Sequence, residues 1–434
     1  MAVRIAWVAM AIVILPLVLN RLADAAGRGS ADRAGQGVKV TDSHVITPYD
    51  RVPRACGSPT VVARRSGGWS QKTIWSTGRV PGAEAAVLIP AGMTVTYDVT
   101  QVVKLRCIEV QGRLRFGSRN AVLYVSDLQV LPGGSLVMGT LRQPIAPCYQ
   151  VEIVIRDTDL QTGSKRRPGR DSEQYLTGLA VWGELTIHGA PLERSFIRLA
   201  RAVRAGESQL KLRHVPRGWR VGDEVVIPDT RQTDPVRASY QPAWETHVIE
   251  AIEGPLLTLT KLIAYDHPGA RDADPGRTPT VLRDGTWLLP HAANLSRNVI
   301  IRSERATGTR GHVYFAGRAK IDVRYARWQD LGRTRAEPLD SSGDGTAAPY
   351  IGTNQDGRHA MHFRHVMGPR PEQNRGYQFV ALGNVITGSA KWGLVLHDTH
   401  FGLVKDNVAF EVDGAGVVTS AGNEVDNLTQ VASY

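Results

Sequence analysis

The chain has 434 residues, of which 42% are hydrophobic and 21% are charged, a composition that indicates a globular protein and excludes a disordered tail. Its 52 lysines and arginines outnumber its 41 aspartates and glutamates, which gives a formal net charge of +11. Arginine supplies most of these cations, and its planar fork suits carboxylate, sulfate or phosphate groups. We therefore expect an acidic partner.

The N-terminus has the pattern of an export signal. Arg4 precedes an apolar run over residues 6–19, and the small residues 23–25 resemble a cleavage site. The run is shorter than the roughly 20 residues that span a bilayer, so residues 1–25 are predicted to be a signal peptide, with an uncleaved anchor as the alternative. Residues 26–55 lack periodicity and are predicted to be a linker. A secreted or cell-surface protein follows, and export argues against a nucleic-acid partner.

Export permits disulfides, and the chain has three cysteines, so one pair is expected. Cys56 and Cys148 both lie beside prolines in predicted loops, whereas Cys107 lies within the apolar alternation "KLRCIEV". We therefore predict a Cys56–Cys148 disulfide and a free Cys107. The spacing does not match a zinc site.

The rest of the chain is predicted to be all-β. Residues 56–158 consist of short β runs separated by glycines, which predicts a small β domain, and residues 159–290 form a middle β segment. Residues 291–434 are predicted to form a right-handed parallel β-helix, because Asn384 and Asn407 and the segments that follow them repeat at an offset of 407 − 384 = 23 residues. This coil has no recognisable C-terminal cap, so we expect truncation of a longer protein or pairing at that end.

A family resemblance covers about residues 56–430. The N-terminal part of that range contains "GGWSQKTIWSTGRVPGAEAAVLIPAGMTVTYDV", "IEVQGRLRFG" and "LPGGSLVMGT", and it resembles the eight-glycine (G-eight) extracellular domain. Later segments, among them "GRHAMHFRHVMG" and "KWGLVLHDTHFGLVKDNVAFEVDGAG", resemble those of the cell-surface hyaluronidase and the cell-migration-inducing hyaluronan-binding protein. The resemblance favours this branch over the fibrocystin branch, and it implies that the chain binds or cleaves hyaluronan.

Cationic side chains alternate with apolar ones on several predicted strands, which would place the cations on the outer face of the coil. Stacked turns would then align them into one strip suited to an anionic polymer. The predicted polysaccharide contacts are Lys320, Arg324, Arg358, Arg364 and Lys391.

Catalysis is predicted at histidines and carboxylates of the same region, since six of the 12 histidines lie between residues 312 and 400. His362 is the preferred general base. Hydrolysis would need two flanking carboxylates, whereas elimination would need a base and a cation beside the uronate carboxylate. The candidate residues are His362, His365, His397, Asp322, Asp330, Asp398 and Asp413.

No cofactor is predicted, although a divalent cation such as calcium is left open. A metal site is disfavoured because His362 and His365, like His397 and His400, are three residues apart, a spacing that converges on a helix but not along a strand.

The histidine motif departs from the family pattern G-R-x-P-x-H-F-H. Here Ala360 replaces the proline and Arg364 replaces the second histidine. If that histidine is essential, the chain is a non-catalytic glycan-binding or adhesion module unless His365 substitutes for it.

Overall fold

The computed structural model describes residues 39–41, 44–46, 52, 56–160, 177–231, 241–269, 288–340, 352–366, 376–420, 422, 424 and 427–433. The predicted signal peptide lies outside these residues. The described residues divide into two units, one before residue 52 and one from residue 52 onward. The first unit contains an antiparallel hairpin of β1 (Lys39–Thr41) and β2 (His44–Ile46). None of the helices in the described ranges is long and apolar enough to cross a membrane.

Twenty-two strands of the second unit form a continuous parallel coil, and a short 3-10 helix (Lys72–Ile74) lies near its start. The first eleven strands of the coil are β3 (Val61–Val62), β4 (Gly67–Gly68), β5 (Ala86–Ile89), β6 (Thr94–Tyr97), β7 (Lys104–Val110), β8 (Arg113–Phe116), β9 (Ala121–Val130), β10 (Ser135–Met138), β11 (Val151–Ile155), β12 (Gly178–Val181) and β13 (Glu184–His188).

The coil is then interrupted by an insertion over residues 189–295. This insertion carries its own six-stranded antiparallel sheet, in the order β14–β19–β16–β17–β18–β15. Its strands are β14 (Phe196–Arg198), β15 (Gln209–Lys211), β16 (Glu224–Ile227), β17 (Glu245–Glu253), β18 (Leu256–Leu259) and β19 (His291–Asn294). The predicted middle segment 159–290 therefore includes two strands, β12 and β13, that pair within the coil.

The coil resumes after the insertion and continues to the end of the described residues. Its remaining strands are β20 (Val299–Ser303), β21 (His312–Gly317), β22 (Lys320–Arg324), β23 (Ala326–Gln329), β24 (Met361–Val366), β25 (Phe379–Leu382), β26 (Val385–Thr387), β27 (Leu394–His397), β28 (Gly402–Phe410), β29 (Val417–Thr419) and β30 (Leu428–Ser433).

Parallel pairing arranges these strands into three faces. The first face contains β22 and β25, the second contains β23 and β26, and the third contains β21, β24 and β27. β28 bends at a corner, so its first half pairs with β25 and its second half with β26. The predicted all-β fold with a parallel β-helix is confirmed.

Inward side chains from all three faces fill the coil with one continuous core. Phe363 packs at 4.6 Å from Phe315 and at 4.4 Å from Phe379, measured between ring centroids. Fully burying side chains of this size contributes about 1.5–3 kcal/mol each. The coil therefore stabilises itself turn by turn, and its outward side chains are left for other roles.

The two asparagines at the 23-residue offset form the ladder that their spacing predicts. Asn384 Nδ2 donates to Asn407 Oδ1 at 2.9 Å, and both side chains are buried. Asn407 Nδ2 in turn donates to the carbonyl of Ala381 at 2.8 Å. Each amide thus satisfies polar groups at a buried corner of the coil, where an unpaired group would cost about 1–3 kcal/mol.

Glycines are required where successive turns come together. A Cβ on Gly112 would lie 2.2 Å from the carbonyl oxygen of Pro90, and one on Gly134 would lie 2.2 Å from that of Val110. Any side chain at these two corners would collide with the backbone of the preceding turn.

The predicted disulfide is wrong, because Cys56 pairs with Cys107 and Cys148 is exposed. Cys107 lies on β7 between the core residues Leu105 and Ile108, but it is outside the interior core itself. Its sulfur points away from the interior toward the segment that carries Cys56. The apolar alternation around Cys107 does not indicate this direction.

We expect one reactive thiol on the denatured, unreduced protein, and peptide mapping should locate the label at Cys148. The crosslink closes 51 residues, which corresponds to about 4 kcal/mol of chain-entropy stabilisation. Cys107→Ser should therefore lower the free energy of unfolding by about that amount, with Cys148→Ser as the near-neutral control. A label found on Cys107 would contradict the pairing.

Candidate functional site

The residues predicted to form one cationic strip lie on two faces of the coil. Lys320, Asp322 and Arg324 point outward from β22 on the first face, whereas Arg364 is on β24 of the third face. The predicted alignment is wrong because consecutive strands of a three-faced coil lie on different faces. Side chains that lie side by side on one face come from strands one full turn apart in the chain, as Arg364 and His397 do.

Two residues predicted to face solvent are buried, His362 beneath the segment that precedes β24 and Arg358 within that segment. His362 does point away from the interior, since Met361 and Phe363 belong to the core, but only 1% of it is exposed. Arg358 is also 1% exposed, lies before β24, and donates from Nη1 to the carbonyl of Asp356 at 3.0 Å. The prediction of an exposed Arg358 is wrong, because the residue is held inside this covering segment.

Four histidines and one carboxylate gather over β24 and β27, and we call this group the histidine cluster. The ring centroid of His362 lies 5.2 Å from that of His359 and 5.8 Å from that of His397. The rings of His365 and His397 are 5.3 Å apart. Asp398 completes the cluster, with Oδ2 at 3.3 Å from His365 Nδ1 and 3.6 Å from His397 Nε2.

A β-bulge places His365 in this cluster. Ala316 pairs with Arg364 and Gly317 pairs with Val366, so His365 is an extra residue in β24, with a φ of 52°. Strict alternation would direct His365 into the interior and Val366 outward. The bulge reverses both, because one added residue shifts the side-chain phase by one.

Hydrogen bonding fixes the tautomer of His362. Its Nδ1 lies 2.8 Å from the carbonyl oxygen of Gly357, which can only accept, so Nδ1 carries the proton and Nε2 carries the lone pair. Nε2 is buried and has no hydrogen-bond partner among the described residues. Burial, together with the nearby His359 and Arg364, holds the pKa of His362 well below its ordinary value. The imidazole is therefore neutral.

Cationic and aromatic groups border the cluster. The Lys391 ammonium lies 4.4 Å from the ring centroid of Trp392, whose ring stacks on His359 at 5.0 Å. The Arg364 Nε atom is buried and lacks a partner among the described residues. Burial and Arg364 both lower the pKa of His397. Two of the predicted polysaccharide contacts, Lys391 and Arg364, thus lie beside the histidines.

The candidate carboxylate Asp322 belongs to a separate group on the first face. Its oxygens accept from His188 Nε2 at 3.0 Å and from Arg324 Nε at 2.5 Å. Burial alone would raise the pKa of Asp322, but these two partners outweigh it and hold the pKa below its ordinary value. Asp322 and Asp398 lie on different faces and do not form a catalytic pair.

The other candidate carboxylates lie at corners of the coil. Asp330 follows β23, with its backbone N–H bonded to Thr387, and the backbone N–H of Asp413 is bonded to Ser389. Sequence reasoning missed Glu424, whose Oε1 accepts from the backbone N–H of Asp398 at 3.2 Å. Strand alternation could not have found Glu424, because it lies between strands.

A basic groove lies between the insertion and the first face, with a volume of about 790 Å³. Of the five predicted polysaccharide contacts, Arg324 is the one that lines this groove. Burial and the adjacent Arg198 lower the pKa of His291 to about 4, so this groove histidine is neutral at physiological pH. The titratable residues that line the groove are Arg194, Arg198, Arg213, Arg324, Lys405, His214, His291, Tyr325, Tyr377, Glu193 and Asp406.

Within the described ranges, one group of three His, Cys, Asp or Glu side chains has ligand atoms within 4.8 Å of one another, and it is His365, His397 and Asp398. The three-residue spacings that disfavoured a metal are irrelevant to this group, because His365 and His397 come from adjacent turns.

Fold and site together define a parallel β-helix protein with an inserted antiparallel sheet and a histidine cluster on its third face. Residues 74–200 match the family model described as the G8 domain. The chain therefore contains a G8 domain, which is the eight-glycine domain of the resemblance, and strands β5 to β13 of the coil fall within it.

Curated relatives share the same region. Mouse fibrocystin-L is 24% identical over 387 residues, which is 83% of this chain and 8% of that protein. A G8 domain-containing protein of Dictyostelium discoideum is 23% identical over 386 residues, 84% of this chain and 29% of that protein. The chain thus spans less than a third of either relative. These relatives support the G8 assignment and do not single out the hyaluronidase branch.

Two phage tailspikes are among the solved structures to which the chain is similar. The tailspike gp61 of Pseudomonas phage phi297 is 10% identical with a TM-score of 0.20, over 76% of this chain and 39% of that one. The Gp54 tailspike of Acinetobacter baumannii phage AP22, solved with a capsular saccharide, is 8% identical with a TM-score of 0.20, over 79% and 53% of the two chains. At these scores nothing about the site is transferable.

Proposed function

We propose that this protein binds an acidic extracellular polysaccharide such as hyaluronan and depolymerises it at the histidine cluster. One observation carries the proposal: His362 Nε2 is an unprotonated nitrogen without a hydrogen-bond partner among the described residues, held beside the Arg364 guanidinium. A neutral imidazole with a fixed tautomer is suited to general-base catalysis. A buried polar atom without a partner in the protein is suited to a ligand.

Elimination is the chemistry that this arrangement supports best. His362 Nε2 would take the proton next to the uronate carboxylate, and Arg364 or Lys391 would neutralise the carboxylate as negative charge develops on it. The electron pair of the C–H bond forms a carbon–carbon double bond as the glycosidic C–O bond breaks. The departing oxygen then takes up a proton, so one new end is an alcohol and the other is an unsaturated uronate.

Hydrolysis would instead use a carboxylate pair separated by about 5–9.5 Å. Asp398 and Glu424, whose Oε1 accepts from the backbone N–H of Asp398, are two carboxylates beside the histidines. Either chemistry must do without the family's second histidine, since Arg364 stands at that position. The neighbouring residue His365 is bulged and projects into the cluster. His365 is the residue we propose as the substitute for the family's second histidine.

A non-catalytic glycan-binding role is the second candidate, and the basic groove favours it. The groove lies on a different face from the histidine cluster and is large enough for several sugar residues. Arg194 and Lys405 line it with partly exposed side chains. Binding there would need no catalytic group.

We place the protein outside the cell, secreted or at the cell surface. The Cys56–Cys107 disulfide is of the kind that persists in oxidising compartments. The export pattern of residues 1–25 agrees with this location.

The activity is tested by incubating the purified protein with hyaluronan, chondroitin sulfate and neutral dextran, and by following polymer size by gel chromatography. Acidic polymers should shorten and dextran should not. Growth of ultraviolet absorbance from the unsaturated uronate would indicate elimination, whereas shortening without it would indicate hydrolysis. If the acidic polymers bind but keep their length, the non-catalytic candidate replaces the proposed activity.

Glycan binding through the groove should be electrostatic. Surface charges are screened over about 8 Å at physiological ionic strength, so affinity for hyaluronan should fall steadily with added salt. Arg194→Ala combined with Lys405→Ala should weaken binding by roughly 10-fold, at up to about 1 kcal/mol for each exposed charge. Affinity is measured by titration calorimetry.

The matched control removes two exposed arginines that do not line the groove, Arg79 and Arg119. Equal losses in both double variants would mean that net charge, and not the groove, attracts the polymer. Binding unchanged in molar salt would also contradict this prediction.

A further inference from the structure

The geometry of the histidine cluster points to a metal site that the proposed acid–base chemistry does not require. Three donor atoms face one another: His365 Nδ1, His397 Nε2 and Asp398 Oδ2. The carboxylate oxygen lies 3.3 Å from the first nitrogen and 3.6 Å from the second. Zinc-ligand bonds of about 2.0–2.2 Å at tetrahedral angles separate neighbouring ligand atoms by about 3.3–3.6 Å. Two of the three distances between the donor atoms therefore match those between the ligand atoms of a zinc site.

Two of the nine described non-glycine residues with positive φ belong to this group. His365 and Asp398 both adopt positive φ, at 52° and 47°. Non-glycine residues in this region cost of order 1–3 kcal/mol each and concentrate at functional sites. The bulge turns His365 out of the core, and the strained turn after β27 directs Asp398 toward it. The two deviations thus bring donors from adjacent turns into contact.

The group is open on one side. The side chains of His397 and Asp398 are 29% and 27% exposed, whereas that of His365 is 7% exposed. Three protein donors with a solvent-facing gap match the arrangement of catalytic zinc sites, in which the fourth position holds water or substrate. Two imidazoles and one carboxylate favour a transition metal over calcium, which prefers six to eight oxygen ligands.

A second, independent observation also indicates a ligand. The ring of His362 stacks against that of His397 at 5.8 Å, and the buried Nε2 of His362 has no partner among the described residues. Arg364 Nε, paired by register with His397, is likewise buried without one. The Arg364 N–H is a donor and calls for an acceptor, such as a water or carboxylate oxygen in the open position, whereas the His362 lone pair calls for a donor or a cation.

We propose that His365, His397 and Asp398 bind one divalent transition metal ion of the zinc class, with its fourth position open. The ion would act as a Lewis acid toward an oxygen in that position, for which a uronate carboxylate is the fitting ligand. Only this last role rests on the proposed function, because metal binding itself does not involve a polysaccharide.

The test titrates Zn²⁺ into chelator-treated, folded full-length protein by calorimetry in the absence of glycan, and repeats it with Co²⁺ to record the visible spectrum. We expect one ion per chain and the intense absorption of tetrahedral cobalt. His397→Ala and Asp398→Asn should each weaken binding by more than about 100-fold, since even outer partners of metal ligands contribute 10-fold to 100-fold. Asparagine also tolerates positive φ, so Asp398→Asn should keep the fold.

The control variant is His214→Ala, which removes an exposed histidine of the basic groove, away from the cluster, and should leave the Zn²⁺ affinity measured without glycan unchanged. Thermal unfolding of each variant verifies that it is folded. Absence of stoichiometric binding by the folded protein, or equal losses in His214→Ala, would overturn the metal site. Depolymerisation that persists in chelator would separate the reaction from the metal without affecting the binding result.

Discussion

Replacing His362 by asparagine is expected to slow polysaccharide depolymerisation by about 100-fold to 10,000-fold, the usual effect of losing a general base. The asparagine Nδ2 can take over the donation that His362 Nδ1 makes to the Gly357 carbonyl. It offers no nitrogen lone pair in place of Nε2. The variant thus removes the proposed base while it retains the buried hydrogen bond. Rates are measured from the polymer-size assay, with binding and thermal unfolding measured in parallel.

His188→Asn is the matched control. His188 is also buried and also hydrogen-bonded, but it lies on the first face and contacts Asp322. Its loss should leave the rate within a few-fold of wild type. A normal rate for His362→Asn with a large loss for His188→Asn would transfer the chemistry to the Asp322 group. A His362→Asn variant that no longer binds glycan or no longer folds would show that His362 is structural.

Arg297→Met should lower the free energy of unfolding by about 3–5 kcal/mol, the loss found when one partner of a buried charged network is removed. The Arg297 guanidinium connects the insertion to the coil. Its Nη2 donates to Ser195 Oγ at 2.7 Å and its Nε to the Gly383 carbonyl at 2.8 Å. Burial lowers the pKa of Arg297 to about 10, so the side chain is still charged at neutral pH. Methionine fills the volume but leaves these acceptors without donors.

Urea unfolding measures this effect, and limited proteolysis should show earlier cleavage within residues 189–295. Arg201→Met is the control, because Arg201 pairs with Glu207 at the surface with 46% of its side chain exposed. An exposed pair of this kind contributes at most about 1 kcal/mol. If the two variants unfold at the same urea concentration, Arg297 does not anchor the insertion.

Local repetition made the coil predictable from the sequence. The 23-residue offset between Asn384 and Asn407 marks one turn, and the structure joins these two amides directly. Alternation identified Ile321 and Val323 as interior and Lys320 and Asp322 as exterior on β22. Such patterns depend on side-chain direction within one strand, which period-2 geometry fixes without reference to distant residues.

The candidate site could be predicted only in part. His362, His365, His397, Asp398, Arg364 and Lys391 do lie at or beside one cluster, since all come from two adjacent turns of the third face. Neither the covering of Arg358 nor the position of Asp322 on another face can be inferred from residue spacing. Both facts depend on where loops between strands cross and on how many faces each turn has.

Local spacing and composition are sufficient to predict the all-β class, the repeat length and the cationic character. Which residues contact one another depends on the folded coil. The bulge at His365 turns this side chain out of the interior and into the histidine cluster. The outward direction of Cys107 allows it to pair with Cys56. Both outcomes depend on pairing between turns, which sets register and face, and one added residue reverses the direction of every side chain after it.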